Sequence, residues 1–305
     1  MDKKDLNELL MSHNPDDILE FYTNFRNQDE LVQWMKRRPN GPAETYDVRG
    51  TGEIVVVIPT KSHKSSNSEK CANTIFKGLH IIFVESGDDS RLFNYARNCN
   101  LGIKAALEFE PKWIVVSNDD MDMLDSPEIL IKSLAKFDGK YTNISAVYAG
   151  ESSYHSYPIF LGYQNFLRQL YFFLRNKESR TQIELERKFA VDIVVQNFGK
   201  LQQHLFKTYT TVRNMGDFCI FSSDYIKQKG GKLFDEVYIN EFEEVDLSYS
   251  LKISGSNILQ IPYRIGDKIG TSLGRANVRR YRAIASRSYF NYKVKNSLLN
   301  FSADK

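Results

Sequence analysis

Charge of one sign is what this sequence has least of: 41 Lys and Arg residues stand against 38 Asp and Glu, a formal net charge of +3 over 305 residues. A dedicated nucleic-acid binder normally carries a clear basic excess over the whole domain, so nucleic acid is not an expected partner. Cysteine is scarce too. Cys71, Cys99 and Cys219 are odd in number, widely separated and never in CxxC spacing, which excludes a disulfide framework and a zinc site and makes a reducing cytoplasm the expected location. With only 17 Gly and 8 Pro the chain is no collagen-like or low-complexity fibre. Long apolar runs are missing as well. The longest uncharged stretch, residues 152–167, holds Ser, His, Tyr, Pro, Gly, Gln and Asn, and so cannot stand in for the about 20 apolar residues of a membrane span. The first five residues mix both charge signs ahead of no apolar segment, so no secretory signal is expected. What is present, 42% hydrophobic and 26% charged residues, is enough apolar surface to offset chain entropy in one large domain with extensions or in two small ones.

Residues 1 to about 50 read as helical, with a cap at Asn14 before Pro15, runs over 16–25 and 29–37, and a stop at Pro39-Asn40-Gly41-Pro42. The β-branched run EIVVVIPT (53–60) then predicts a strand buried on both faces. A polar loop (61–69), a short helix (71–79), a second buried strand (80–85), a helix (92–108) and a third buried strand (113–117) follow. Strand, helix, strand, helix, strand predicts a doubly wound α/β sheet.

Sites in such sheets form beyond the carboxyl ends of the strands. Those ends carry Pro59 and Thr60, Glu85, and Asn118-Asp119-Asp120 with Asp122 just beyond. A lone acid there is usually a cap or turn residue. Acids at two ends point to a ribose and a divalent cation, because hydroxyls hydrogen-bond to carboxylates and hard cations take oxygen ligands.

These residues resemble the family 2 glycosyltransferases, nucleotide-sugar enzymes of GT-A fold, from about Ile54 to Tyr292 and least in the middle. The blocks that carry the resemblance are IVVVIPT (54–60), IIFVESGDDS (81–90), YARNCNLGIKAAL (95–107), VVSNDDMDM (115–123), MGDFCIFSSDYIKQKGGKLFDE (215–236) and NEFEEVDLSYSLKISG (240–255), with YRIGDKIGTS (263–272) further on. The resemblance implies a Rossmann-like, mostly parallel mixed sheet flanked by helices. It divides the chain into a helical N-terminal extension (1–50), a GT-A domain (51–273) and a basic helical tail (274–305). The GT-A domain comprises a nucleotide-binding half (51–125), an expanded variable region (126–214) and an acceptor or catalytic half (215–273).

Carried over residue by residue, the resemblance implies nucleotide contacts at Pro59, Thr60, Glu85, Arg97, Asn98, Asn118 and Asp119. It implies Mn²⁺ or Mg²⁺ on Asp120 of the DXD-like motif and on Asp267. The catalytic base would be Glu244, with Glu243 and Asp246 on the acceptor side. Glu85 and Glu244 stand where the family usually has Asp, and Asp267 where many members have His; each replacement keeps a carboxylate. A base opposite the leaving diphosphate implies inversion at the anomeric carbon. The expected partners are a nucleoside-diphosphate sugar and a saccharide, lipid-linked or protein acceptor of a polysaccharide, glycolipid or glycoprotein pathway.

Blander readings stay beside these. Acids at 243, 244 and 246 also suit a helix dipole, and Asp267 also suits a surface loop. The five histidines share no ligand or triad spacing and read as structural or surface residues. A sugar-phosphate nucleotidyltransferase would need a Gly-rich loop after the first strand, which IPTKSHKSSNSEK lacks. A catalytically silent sugar-nucleotide binder or scaffold of the same fold remains the alternative function.

Two segments fall outside the resemblance. Phe166, Leu167, Leu170, Tyr171, Phe173 and Leu174 recur at helical spacing, first of all as a core-facing stripe and alternatively as an interfacial helix; a second long helix is predicted over 182–207. From Arg275 to Lys295 there are seven basic residues, no acid, and four interleaved aromatics. In order of preference this tail reads as a solvated helix covering the core, as a source of diphosphate contacts through Arg275, Arg279 or Arg280, or as a peripheral contact with an anionic membrane.

Overall fold

The computed structural model describes residues 5–87, 90–137, 144–149, 158–164, 166–196, 209–267 and 276–296. Three helices come first, each opened by a side-chain oxygen that satisfies a free backbone N–H. These are α1 (Leu6–Met11) capped by Asp5, α2 (Pro15–Thr23) by Asn14 and α3 (Gln28–Arg37) by Asn27. An unforeseen edge strand β1 (Glu44–Val48) precedes β2 (Thr51–Thr60). The loop after β2 is partly helical, because the Ser65 hydroxyl accepts from Ser68 N and starts α4 (Ser66–Lys70), which runs on into a wide π turn over Cys71–Ile75.

Next come β3 (Leu79–Glu85), α5 (Tyr95–Leu107), β4 (Trp113–Ser117), β5 (Met121–Met123), α6 (Pro127–Ala135), β6 (Ile144–Tyr148), β7 (Pro158–Tyr163), α7 (Phe166–Arg175) and α8 (Lys177–Lys188). The chain continues with β8 (Ile193–Gln196), β9 (Tyr209–Arg213), β10 (Phe218–Ser222), α9 (Ser223–Gln228), α10 (Glu243–Ile253), β11 (Asn257–Gln260), β12 (Ile265–Asp267) and α11 (Ala276–Lys295).

Seven strands form the central sheet in the order β1-β3-β2-β4-β10-β6-β11. β3, β2, β4, β6 and β11 run one way; β1 and β10 run the other. The protein is thus α/β with a mixed, mostly parallel sheet between helices. The β-branched run of β2 is buried because both faces are covered. Ile54, Val56 and Ile58 pack with Phe76, Leu130 and Tyr263 on one side, while Val55 and Val57 pack with Ala96, Cys99 and Ile103 of α5 on the other. α5 lies very close to the sheet at Gly102, where a Cβ would collide with Val57 Cγ1 and stand 2.8 Å from Val84 Cγ2.

A third core joins the two ends of the chain. α1 to α3 pack with the sheet β8-β7-β9 and with α11 through Phe21, Tyr22, Phe189, Ile193, Tyr281 and Phe290. The Tyr22 hydroxyl donates to the Tyr281 carbonyl at 2.7 Å, and Gln28 Nε2 donates to the Ser288 carbonyl at 2.9 Å.

Three expectations are corrected here. The predicted 182–207 helix ends at Lys188, and Ile193–Gln196 is a strand paired with β7; the β-branched Ile193, Val194 and Val195 favour that pairing. The basic tail is no solvated cover, since Val278, Ile284, Ala285 and Phe290 are fully buried, and so is most of Arg282, whose guanidinium donates to the carbonyls of Leu10, Met11 and Ser12. The aromatic stripe of α7 does not face the core: all six of its apolar residues are exposed, and Arg168 is the buried side chain of that helix.

Candidate functional site

Parallel register aligns the strand ends. Thr60 lies opposite Glu85, and Asn118 N donates to the Asp217 carbonyl just before β10. Thr60 Oγ1 donates to Asp119 Oδ2 at 2.6 Å, tying the β2 end to the acidic turn after β4; burial raises the Asp119 carboxyl and this bond opposes the rise. Pro59 is buried in β2 beside Val84. Glu85 accepts from both His63 N (2.8 Å) and His63 Nδ1 (2.6 Å), and the backbone bond above all holds its carboxyl below the usual range. The His63 ring in turn stacks on Tyr46 of β1, with centroids 3.8 Å apart.

The second half of the site comes from far along the chain. α10 starts from Phe242, whose φ of 78° is left-handed and strained for a non-glycine residue, and no side chain caps it. Its first turn carries Glu243 and Glu244. Ser248 Oγ donates to the Glu244 carbonyl and accepts from Met215 N, which pins this turn to the segment leading into β10.

Asp120, Asp217, Glu241, Glu243 and Glu244 consequently share one electrostatic neighbourhood. Burial, then the charge of Asp120, raises Asp217. Burial, then Asp217 and Glu241, pushes Glu244 up to about 8, against the lowering effect of Arg279. Glu243 is raised well above the carboxylate range by burial and by Glu244. Oε2 of Glu243 and Oε2 of Glu244 are buried without a hydrogen-bond partner among the described residues. Arg279 brings a cation to the edge, with its Nε 2.6 Å from Glu241 Oε1.

The other expected residues are placed differently. Arg97 Nη1 donates to the Gly41 carbonyl at 2.7 Å, so this guanidinium holds the Pro39–Pro42 bend. Asn98 is buried, and its Nδ2 has no hydrogen-bond partner among the described residues. Asp246 turns to α11 and pairs with Lys293 Nζ at 2.6 Å, away from Glu243 and Glu244. Asp122 pairs with Lys70. Arg280 is exposed, Arg275 lies outside the described residues, and for Asp267 the backbone alone is described, opposite Met121.

Sequence reasoning passed over Asp217, Glu241, His63 and Tyr46. Asp217 had a signal, being an acid immediately before an apolar strand; its antiparallel neighbour β4 could not be read from the sequence. Asn94 and Asn100 were also missed. Asn94, the N-cap of α5, and Asn100 within it hold the 233–240 loop through the carbonyls of Phe234, Glu236 and Tyr238.

Among the described residues no group of three or more His, Cys, Asp or Glu side chains is close enough together to hold a metal ion by itself. The donor chemistry nonetheless fits a hard divalent cation. Burial, and for Asp217, Glu243 and Glu244 also neighbouring acids, leaves these carboxyls favouring protons, and Mg²⁺ typically takes one or two carboxylates with phosphate oxygens completing its shell. No protein-family model matches the chain, and no curated protein matches it. No described helix is long and apolar enough to cross a membrane.

Proposed function

We propose that the protein is an inverting, divalent-metal-dependent glycosyltransferase of GT-A type, moving a sugar from a nucleoside-diphosphate sugar to an acceptor hydroxyl. The observation that carries this reading is the meeting of Asp120, after β4, with Asp217 and Glu244 in one field, although 124 residues separate the first from the last. One end of that field suits a donor and the other an acceptor.

In this reading Glu85, oriented by His63, accepts from a ribose or base, and Tyr46 forms the wall behind it. Asp120 would hold the cation, with Asp119 fixed by Thr60 in support. The cation would neutralise the leaving diphosphate as a Lewis acid. Arg279, at the rim, adds positive charge for the same phosphates. Glu244 takes the acceptor proton through Oε2; burial first, then the charges of Asp217 and Glu241, tune it towards neutral pH, where a general base is most effective. Attack opposite the leaving group inverts the anomeric carbon.

The test is a panel of UDP-, GDP- and dTDP-sugars, each with Mn²⁺ or Mg²⁺, read by thermal stabilisation and then by transfer in Glu244→Gln. At least one pair should stabilise the protein, and Glu244→Gln should keep that binding while transfer falls about 10²–10⁴-fold. Stabilisation by none of them, or retention of configuration in the product, defeats the proposal.

A further inference from the structure

α7 is built inside out. Its sequence, FLRQLYFFLR, contains no acid, and its inward side is built round a charge: Arg168 is buried against Glu186 of α8 at 3.1 Å with its guanidinium 4.9 Å from the Phe172 ring centroid, while Gln169 Oε1 accepts from Arg187 at 2.8 Å on the exposed seam between the two helices. Glu186 also takes Arg287 of α11 and Gln182, so the helix is anchored through a buried polar network and is held in place with its apolar side outward. That side presents Phe166 (72% exposed), Leu167, Leu170, Tyr171, Phe173 and Leu174 (69%). Each of the six is at least 36% exposed and they share one face, a contiguous apolar patch of the kind that marks an interaction surface.

We propose that α7 is a membrane seat, lying in the interface of an anionic lipid bilayer with this face among the acyl chains. Charge selects this occupant. On α7 and the α8 packed against it the exposed side chains include Arg175, Lys177, Arg180 and Arg187 against Glu178 and Glu184, while Lys188 reaches to the Tyr22 carbonyl, and Arg180 stacks over Phe173 at the patch edge, 4.5 Å from the ring centroid. A short helix with Leu and Phe on one face, Tyr at its margin and a basic rim matches an interfacial helix, in which apolar burial and headgroup attraction add. A second copy on the same face would bring the basic rim against itself.

The proposal does not depend on the proposed catalytic activity, and its test needs no substrate. The full chain is floated with vesicles of phosphatidylcholine alone and of phosphatidylcholine with phosphatidylglycerol. Binding is expected on the mixed vesicles and weaker on the neutral ones. Leu167→Ser with Leu174→Ser should lower the bound fraction about tenfold or more, with Tyr171→Ser as an independent smaller reduction. Arg175→Gln with Lys177→Gln should reduce binding on the mixed vesicles alone. An unchanged melting temperature in each variant shows that the fold is kept. No flotation with mixed vesicles, or flotation indifferent to the serine variants, overturns the proposal. So does a dimer in vesicle-free light scattering that the double serine variant dissolves, which would assign the face to a second copy.

Discussion

Glu244 and Asp246 lie two residues apart on the first turns of α10, in the same helix dipole, and have opposite surroundings. At about 100° per residue they project from nearly opposite sides of the helix. Asp246 meets Lys293 at 2.6 Å, and the same ammonium holds Asp235 at 2.9 Å, so the acid is neutralised in place. Glu244 instead lies in the field of Asp217 and Glu241; each of the two acids keeps one buried oxygen, Oε2 of Glu244 and Oδ1 of Asp246, without a hydrogen-bond partner among the described residues, so the contrast lies in the neighbouring charge. A fold that brings Lys293 to one acid and crowds further acids round the other separates a structural carboxylate from one poised for a ligand or a proton. Even the paired Asp246 is pushed up to about 6, because burial outweighs Lys293.

The sharpest way to break this contrast is to remove the cation. Lys293→Met leaves the buried Asp246 and the half-buried Asp235 without it and should cost about 3 kcal/mol in denaturant unfolding, towards the lower end of the range for half of a buried pair. Glu244→Gln should cost little or be stabilising by the same measure, since it removes a charge that the fold accommodates poorly. Equal losses in the two variants would erase the distinction.

The pH dependence of stability separates them next. Glu244 has an ordinary value of 4.5 and about 8 when folded, so between those values the native state retains a proton that the unfolded chain releases. Stability is then greatest near the lower value and falls as pH rises towards 8, by at most about 1.4 kcal/mol per unit. Asp246 acts with the same sign over the narrower window from 3.8 to about 6. In a chelator, Glu244→Gln should therefore reduce the slope between pH 6 and 8, where Glu243, raised chiefly by burial, keeps its share, and leave Asp246's share below pH 6; a slope unchanged above pH 6 contradicts the assignment.

Arg279→Gln is the smallest probe. Its side chain is 54% exposed, so losing the pair with Glu241 should cost about 0.5 kcal/mol or less. Because Arg279 lowers Glu244, the variant should also extend the falling limb of the pH profile to higher pH. A loss as large as that of Lys293→Met would mean that Arg279 is structural.

Much of the central sheet was legible because β2, β3 and β4 are β-branched runs buried on both faces, and Asn14 followed by Pro15 marks a helix start unaided. The acids at the ends of β3 and β4 were legible for the same reason. What stayed hidden depended on partners. The antiparallel entry of β10 between β4 and β6 brings Asp217 beside Asn118, and neither segment records the other. The aromatic helices α7 and α11 carry similar mixtures of rings and arginines, yet α11 is buried and α7 exposed. For α11, Leu10, Met11 and Ser12 offer carbonyls to Arg282, while Glu186 and Asp246 receive Arg287 and Lys293; for α7, Glu186 draws in the polar side.

By itself, then, the sequence determined β2, β3 and β4, the helix start at Asn14 and the acids at the ends of β3 and β4, because those follow from local sterics and burial period. Which carboxylates are neutralised and which are crowded, and which aromatic helix is buried, were decided by tertiary structure. Charge and apolar burial depend on neighbours that only folding brings together, from Glu186 beside Arg168, 18 residues on, to Leu10 beside Arg282, 272 residues back.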